Sequence, residues 1–279
     1  MCIRDRERRF RYSLYVEDET RRWLDEGEGV IRTAEDVDKY PFPSLDEIGS
    51  DTAERLRRII DRRYPGMGLI AGFGDVFTRT WALLGFTRFC IALVRDRQLV
   101  RKVYRRVAEL STQECRVLMD AGVDAIWPSD DIAFVSGPMV SPRDLQEFFF
   151  PWLKEVCWLA KRRGLPVIYH SDGDLRPVMN DILECGVNAI HPVEPKAMNI
   201  EELKAVWGDR LALIGNIDLE YTLTRGTVGD VVRLVRRRIC FIAPGGGYAL
   251  GSSNTIPGYV KLNNYLAMVE VTKKYGRYS

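Results

Sequence analysis

The chain has 279 residues, 46% of them hydrophobic, which is enough to bury one large core. Its 41 Lys and Arg are interspersed with 39 Asp and Glu for a formal net charge of +2, which argues against the one-signed face that binds nucleic acid. No apolar stretch approaches the roughly 20 residues that cross a bilayer, so neither a membrane nor nucleic acid is expected as a partner.

Residues 1–50 are charged and irregular in pattern, with residues 11–16 the one stretch able to pair as a strand. They are expected to form an irregular N-terminal segment ahead of a barrel domain over 51–279. Met1-Cys2-Ile3-Arg4 lacks the apolar centre of a signal peptide. The six cysteines include no C-x-x-C pair and fall largely in apolar patterns, as in a reduced, cytoplasmic protein. Asp51 can cap a helix through Arg63, ended by Pro65-Gly66. From Gly68 onward, short apolar runs at 68–72, 125–127, 166–169, 189–193, 211–214 and 240–243 alternate with amphipathic helices. The helices are predicted over 95–121, 141–164 with Ser141-Pro142 as its start, 174–185, 200–207, 227–238 and 259–275. Basic runs such as Lys161-Arg162-Arg163 and Arg236-Arg237-Arg238 close two of them, where cations suit the negative end of the helix dipole.

Strand, helix, strand in repetition demands parallel pairing with crossovers. The runs are short, and nearly every one is followed at once by polar or glycine-rich residues, as at the mouth of a barrel. The expected fold class is therefore α/β, a (β/α)8 TIM-type barrel lacking its first one or two strands, since only six runs are evident.

Those followers carry the candidate chemistry. In Tyr169-His170-Ser171-Asp172-Gly173, residues two apart on a strand point the same way, so His170 and Asp172 share one side of the mouth. An imidazole beside a carboxylate serves as a metal-ligand pair or as an acid–base with its orienting partner, or else shapes the loop. Glu194 follows the next strand, held extended between Pro192 and Pro195. Asn216 and Asp218 end the strand after that. Each alone is also compatible with a loop cap or salt bridge. Ser129, Asp130 and Asp131 offer a hydroxyl and two carboxylates at an earlier strand end, for substrate or for capping. His191, inside its apolar run, is expected as a packed core histidine. Gly245-Gly246-Gly247 is expected as a turn after the last strand where backbone approaches a ligand, although it matches neither a P-loop nor a dinucleotide fingerprint.

Together these blocks resemble the uroporphyrinogen decarboxylase superfamily, which also contains corrinoid-linked methyltransferases. The resemblance runs from about Arg32 to the C-terminus. It rests on the His-Ser-Asp-Gly strand end, Gly215-Asn216-Ile217-Asp218, Pro244-Gly245-Gly246-Gly247 and Ser136-Gly137-Pro138-Met139-Val140-Ser141-Pro142. It implies a barrel with a deep cleft at the carboxyl ends of its strands, and the absence here of the family's N-terminal substrate-binding Arg and Asp residues. The decarboxylases are expected to carry a Gly-His-Gly near the C-terminus; this chain has Gly251-Ser252-Ser253 there, while Ser129 is compatible with their serine. The methyltransferases resemble a zinc site of His-x-Cys and a later Cys. Here His170 is kept, Asp172 stands at the first Cys and Asn254 at the second, exchanging soft thiolates for harder N/O ligands.

The resemblance thus implies a metal such as zinc at His170, Asp172 and Glu194. Asp218, Asp130 and Ser129 are the catalytic candidates, with Asn216, Asp131, Gly245, Gly246, Gly247 and Asn254 around substrate. The leading expectation is methyl transfer from an oxygen- or nitrogen-linked donor to a corrinoid carried by a separate protein. The alternatives are cofactor-free uroporphyrinogen decarboxylation in porphyrin biosynthesis, and a non-catalytic barrel binding a tetrapyrrole or small ligand.

Overall fold

A computed structural model describes residues 29–60 and 66–278, and the backbone pairing of Tyr15–Glu17 with Arg22–Leu24. That antiparallel pair stands apart from the main sheet; residues 11–14 of the expected strand lie outside the described residues. Two helices, Ala34–Lys39 (α1) and Leu45–Ile60 (α2), occupy much of the stretch expected to be irregular, and the boundary expected at residue 51 falls inside α2. Short-range capping explains both starts. Thr33 and Asp36 exchange side-chain-to-backbone bonds, and Ser44 and Glu47 do the same.

Six parallel strands form the main sheet: β1 (Ile70–Gly74), β2 (Ala125–Ser129), β3 (Ile168–His170), β4 (Ala189–His191), β5 (Ala212–Ile217) and β6 (Tyr248–Ser252). Sheet neighbours are chain neighbours from β1 to β6. A doubly wound sheet reverses its order at a switch point; this one never does. Crossovers of one hand put every helix on the same face, so the other face rolls inward as the wall of a TIM-type barrel.

Side-chain burial follows that geometry. Ile126, Tyr169, Ile190 and Leu213 point outward under the helices and are at most 1% exposed. Their alternates Ala125, Ile168 and Ala189 form a separate inner cluster with the half-buried Trp127, Ala212 and Ile214.

Between β1 and β2 lie α3 (Val76–Leu84), α4 (Phe86–Arg95) and α5 (Arg97–Asp120). α5 matches the expected long helix, whereas α3 and α4 were not among the expected helices. Seven of α3's nine residues are buried, so it shows no polar stripe for a period of 3.6 to reveal. Ser141 caps the next helical run, which passes through a wider turn at Leu145–Phe149 into α6 (Phe150–Arg162). α7 (Met179–Cys185), α8 (Ile200–Trp207), α9 (Val228–Ile242) and α10 (Leu262–Tyr275) follow their expected positions.

One expected strand is corrected. Residues 240–243 are the end of α9, whose buried face runs Val231, Val235 and Ile242 at helical spacing while Cys240 and Phe241 face solvent. The sixth strand is β6, beyond the glycine turn. Cys115, Cys157 and Cys185 are buried free thiols as expected, and Cys240 is an exposed one. Among the described residues no single helix is long and apolar enough to cross a membrane.

Candidate metal centre and substrate cleft

The carboxyl ends of all six strands lie on one side of the sheet. β3 runs out at His170, and the chain then turns through the fully buried Ser171. The Ser171 hydroxyl accepts the Ile132 N–H at 3.1 Å and donates to the Asp172 carbonyl at 2.9 Å, which fixes where Asp172 leaves the strand. The Asp172 N–H donates to Asp131 Oδ1 at 2.8 Å, and Asp172 Oδ2 accepts from the Asn254 amide at 2.7 Å. Asp172 Oδ1 is buried with no hydrogen-bond partner among the described residues. Next along, the Gly173 N–H donates to the Glu194 carboxylate at 2.9 Å. Position 173 requires glycine: φ is +88°, and a Cβ would stand 2.4 Å from the Ala133 carbonyl oxygen.

His170 and His191 are cross-strand partners in register, and their Nδ1 atoms meet at 2.7 Å. Trp127 packs edge-on against His191, ring centres 4.6 Å apart. His191 is therefore not simply a packed core residue. It is half-buried on the barrel's inner face and bonded to the principal site imidazole. On the other side of His170, Nε2 lies 3.8 Å from Asp131 Oδ1. Asp131, His170 and Asp172 each offer a ligand atom, all within 4.8 Å of one another.

The electrostatics follow from burial and from like charges placed together. Burial, then the charges of Asp131 and Glu194, push the Asp172 carboxyl up to about 7, against the pull of the Asn254 hydrogen bond. Burial lowers His170 below the ordinary histidine value, with the charges of Asp131 and Asp75 opposing it. Burial and the neighbouring His170 take His191 down to about 3.

Beside this cluster opens a cavity of about 430 Å3 whose walls include Asp172, Glu194, Asp218, Asn254, Lys196 and Tyr259. Asp172, Glu194 and Asp218 thus face one space, with His170 reached through Asp172 and Asp131. Asp218 is also a helix cap, its Oδ2 accepting the Tyr221 and Thr222 N–H groups at 2.6 and 2.9 Å. Ser129 closes β2 directly beside His170 in register.

Three expectations are not met. Asp130 is only 1% exposed and is taken up in capping α3. Its carboxylate takes the Phe77 N–H at 2.5 Å and the Thr78 N–H and hydroxyl at 2.9 Å each, capping α3. Asn216, 1% exposed, donates to the Val193 carbonyl and borders a groove toward α8 and α9 with Met198, Leu234 and Arg238 rather than the carboxylate cleft. Gly245, Gly246 and Gly247 precede β6 instead of following a strand, which puts them at the amino end of the sheet, opposite the mouth; Gly246 accepts a hydrogen bond from Lys204 of α8 there.

Residues 27–275 match the family model described as uroporphyrinogen decarboxylase (URO-D). The chain belongs to this family. Within it, the chain is 27% identical over 197 residues to a uroporphyrinogen decarboxylase of Chlorobium limicola, covering 68% of this chain and 54% of that protein. It is 24% identical over 200 residues to the methylcobamide:CoM methyltransferase MtaA of Methanosarcina barkeri, covering 70% and 57% respectively. The chain thus spans about half the length of these curated relatives. A methyltransferase structure from Methanosarcina mazei superposes with a TM-score of 0.68 at 21% identity, over 81% of this chain and 64% of that one, which supports the barrel fold. The family resemblance drawn from the strand-end motifs is correct, and its members named here are enzymes of two kinds.

Proposed function

We propose that this member of the uroporphyrinogen decarboxylase family is a methyltransferase that passes a methyl group from a small oxygen- or nitrogen-linked donor to a corrinoid carried by a separate protein. In this proposal Asp131, His170 and Asp172 hold a divalent metal, zinc by preference, and Glu194, Asp218 and Asn254 surround the donor. Asp131 replaces Glu194 in the expected ligand set, because Asp131 offers an oxygen within 4.8 Å of the ligand atoms of both His170 and Asp172.

The observation that carries the proposal is the Asp172 Oδ1 atom, buried inside a His/carboxylate cluster without a partner among the described residues. A buried carboxylate oxygen that bonds nothing is costly, and a cation beside it removes the cost. The 3.8 Å between His170 Nε2 and Asp131 Oδ1 is too long for a hydrogen bond. It is close to the ~3.3 Å that separates two ligands about 2 Å from one tetrahedral ion.

A divalent ion held there supplies Lewis acidity toward the donor's heteroatom. The methyl group leaves without its bonding electrons, so the departing oxygen or nitrogen keeps the pair and needs a proton. With Asp130 committed to α3, Asp218 is the cleft residue placed to orient the donor and pass that proton. Asn254 holds Asp172 in position, and the open mouth admits the carrier.

The cleft's charge favours this role over decarboxylation. Its lining has four carboxylates (Asp172, Glu194, Asp218, Glu220) against two cations, Lys196 and Arg225. Both cations are bonded to Glu220. Among the described residues, such walls repel a polycarboxylate. The decarboxylase role keeps the support of sequence likeness, 27% identity to the proteins of Chlorobium limicola and Pelodictyon phaeoclathratiforme among others.

Metal analysis of purified protein beside Asp172→Ala tests the centre: metal is expected in the wild type and lost from the variant. Incubation with methyl donors and a Co(I) corrinoid tests the reaction. Failure of the methyl-cobalt absorption band to appear with any donor, together with CO2 release from uroporphyrinogen, would transfer the assignment to the decarboxylases.

A further inference from the structure

His191 sits against the principal ligand without reaching the carboxylates itself. Its Nδ1 is 2.7 Å from the Nδ1 of His170, which faces it from the next strand in cross-strand register. Two bare nitrogens at that distance repel and two N–H groups collide, so one proton lies between the rings. If His191 were the donor, His170 would carry its own proton on Nε2, where the Asp131 oxygen at 3.8 Å is beyond hydrogen-bond distance. If His170 is the donor, its Nε2 presents a bare lone pair to the space between Asp131 and Asp172. A metal accepts only that second form, because an imidazole ligates through an unprotonated nitrogen.

Building on the metal centre proposed above, we infer that His191 is a positioning residue: it accepts the Nδ1–H of His170 and so holds the Nε2 lone pair aimed at the metal. Two features suit it to that task. The parallel register fixes the two rings side by side. Trp127 packs edge-on against His191, ring centres 4.6 Å apart, and restricts its rotation. Metal-bound histidines commonly donate their second N–H to a carboxylate or a carbonyl; here a second imidazole takes that place. Ser129, the neighbour of His170 on the opposite strand, leaves the Nδ1 side of the ring to His191.

The test is zinc affinity measured by competition with a chromophoric chelator, on the full chain and on His170→Ala, His191→Phe and His191→Asn. Phe keeps the ring volume against Trp127 and removes the acceptor. Asn places its amide oxygen near the position of Nδ1 and restores one. The expected pattern is a loss of 10- to 100-fold in His191→Phe, the range for an orienting partner, with recovery to within a few-fold in His191→Asn. Nitrogen-15 spectra of the zinc-loaded protein, simplified by its having only two histidines, are expected to show an uncoordinated His191 protonated on Nε2.

Zinc binding that depends on His170 but is unchanged in His191→Phe would overturn the positioning role and leave the metal centre standing. Direct zinc coordination by His191 would do the same. Zinc binding that is absent, or indifferent to His170→Ala, would overturn the centre itself and the positioning role with it.

Discussion

Replacing Asp130 by Asn separates a structural carboxylate from a catalytic one. Asp130 is buried, and its two oxygens take three donors from Phe77 and Thr78 at the first turn of α3. Burial, with the charge of Asp75 adding to it, pushes its carboxyl up to about 8, against the pull of those hydrogen bonds. The unfolded chain releases this proton near pH 4. Between about pH 4 and pH 8 the folded protein therefore holds one proton that the unfolded chain has lost, and stability falls as pH rises across that window. The slope from this one group is about 1.4 kcal/mol per pH unit, fading as pH passes 8. The amide of Asp130→Asn is neutral throughout and contributes no such slope.

Urea denaturation of wild type and Asp130→Asn at pH 5, 6, 7, 8 and 9 measures the difference, with other titrating groups cancelling. Asp130→Asn is expected to be the less stable protein at pH 5, by about 1–3 kcal/mol for its poorer match to three donors. Its disadvantage should shrink by about 1.4 kcal/mol per pH unit, vanish between about pH 6 and pH 7 and become an advantage by pH 8. A stability difference constant from pH 5 to pH 9 would refute the buried, protonated carboxyl. A large loss of metal with intact folding would restore Asp130 to the site.

Gly173→Ala is expected to cost at least ~2 kcal/mol in thermal or urea unfolding, since the new Cβ meets the Ala133 carbonyl at a positive φ; an unchanged melting temperature would contradict the close approach. Arg97→Ala removes a bridge from α5 to Asp144 and Glu147, a bond to the Leu93 carbonyl and the contact over the Phe148 ring. It should destabilise by roughly 1–2 kcal/mol, with less salt dependence than an exposed pair shows. Asn254→Ala strips Asp172 Oδ2 of its donor, so zinc affinity at pH 7 should drop by roughly tenfold, read by the same chelator competition.

The barrel was legible because short apolar runs with polar followers recur, and five of the six runs became strands. The sixth failed because Cys240-Phe241-Ile242-Ala243 is equally compatible with the last turn of a helix, and only the outward-facing Cys240 and Phe241 decide between them. That single slip moved the glycine turn from one end of the barrel to the other. His170, Asp172, Glu194 and Asp218 were grouped because strand ends gather, and three of them, Asp172, Glu194 and Asp218, line one cavity. Asp130 was misjudged because its partners lie more than 50 residues earlier, in a helix without amphipathic pattern.

The pairing of the two histidines did have a sequence signal. Val167 with Asn188, His170 with His191 and Gly173 with Glu194 are all 21 residues apart. One β/α unit has that length, so adding 21 to a residue of β3 finds its neighbour on β4. By that spacing His191 belongs with His170, and Glu194 belongs with Gly173 rather than with the imidazole.

Charge in the cleft links these pieces to the choice of substrate. Four carboxylates and two cations leave the lining two negative charges in excess, and Asp131 adds another beside His170. Burial first, then the charges of Asp131 and Glu194, push the Asp172 carboxyl up to about 7 and oppose full ionisation of the cluster. In the proposed centre, a divalent ion at Asp131, His170 and Asp172 would offset two of those three negative charges. A small uncharged donor then enters without a charge penalty, whereas a polycarboxylate still meets Glu194 and Asp218 at the wall. Charge removal at the wall discriminates between them: Glu194→Gln with Asp218→Asn should strengthen binding of a polycarboxylate tetrapyrrole severalfold in a fluorescence titration. A tetrapyrrole that binds the wild type more tightly than this double variant would show that the carboxylates are not what excludes it.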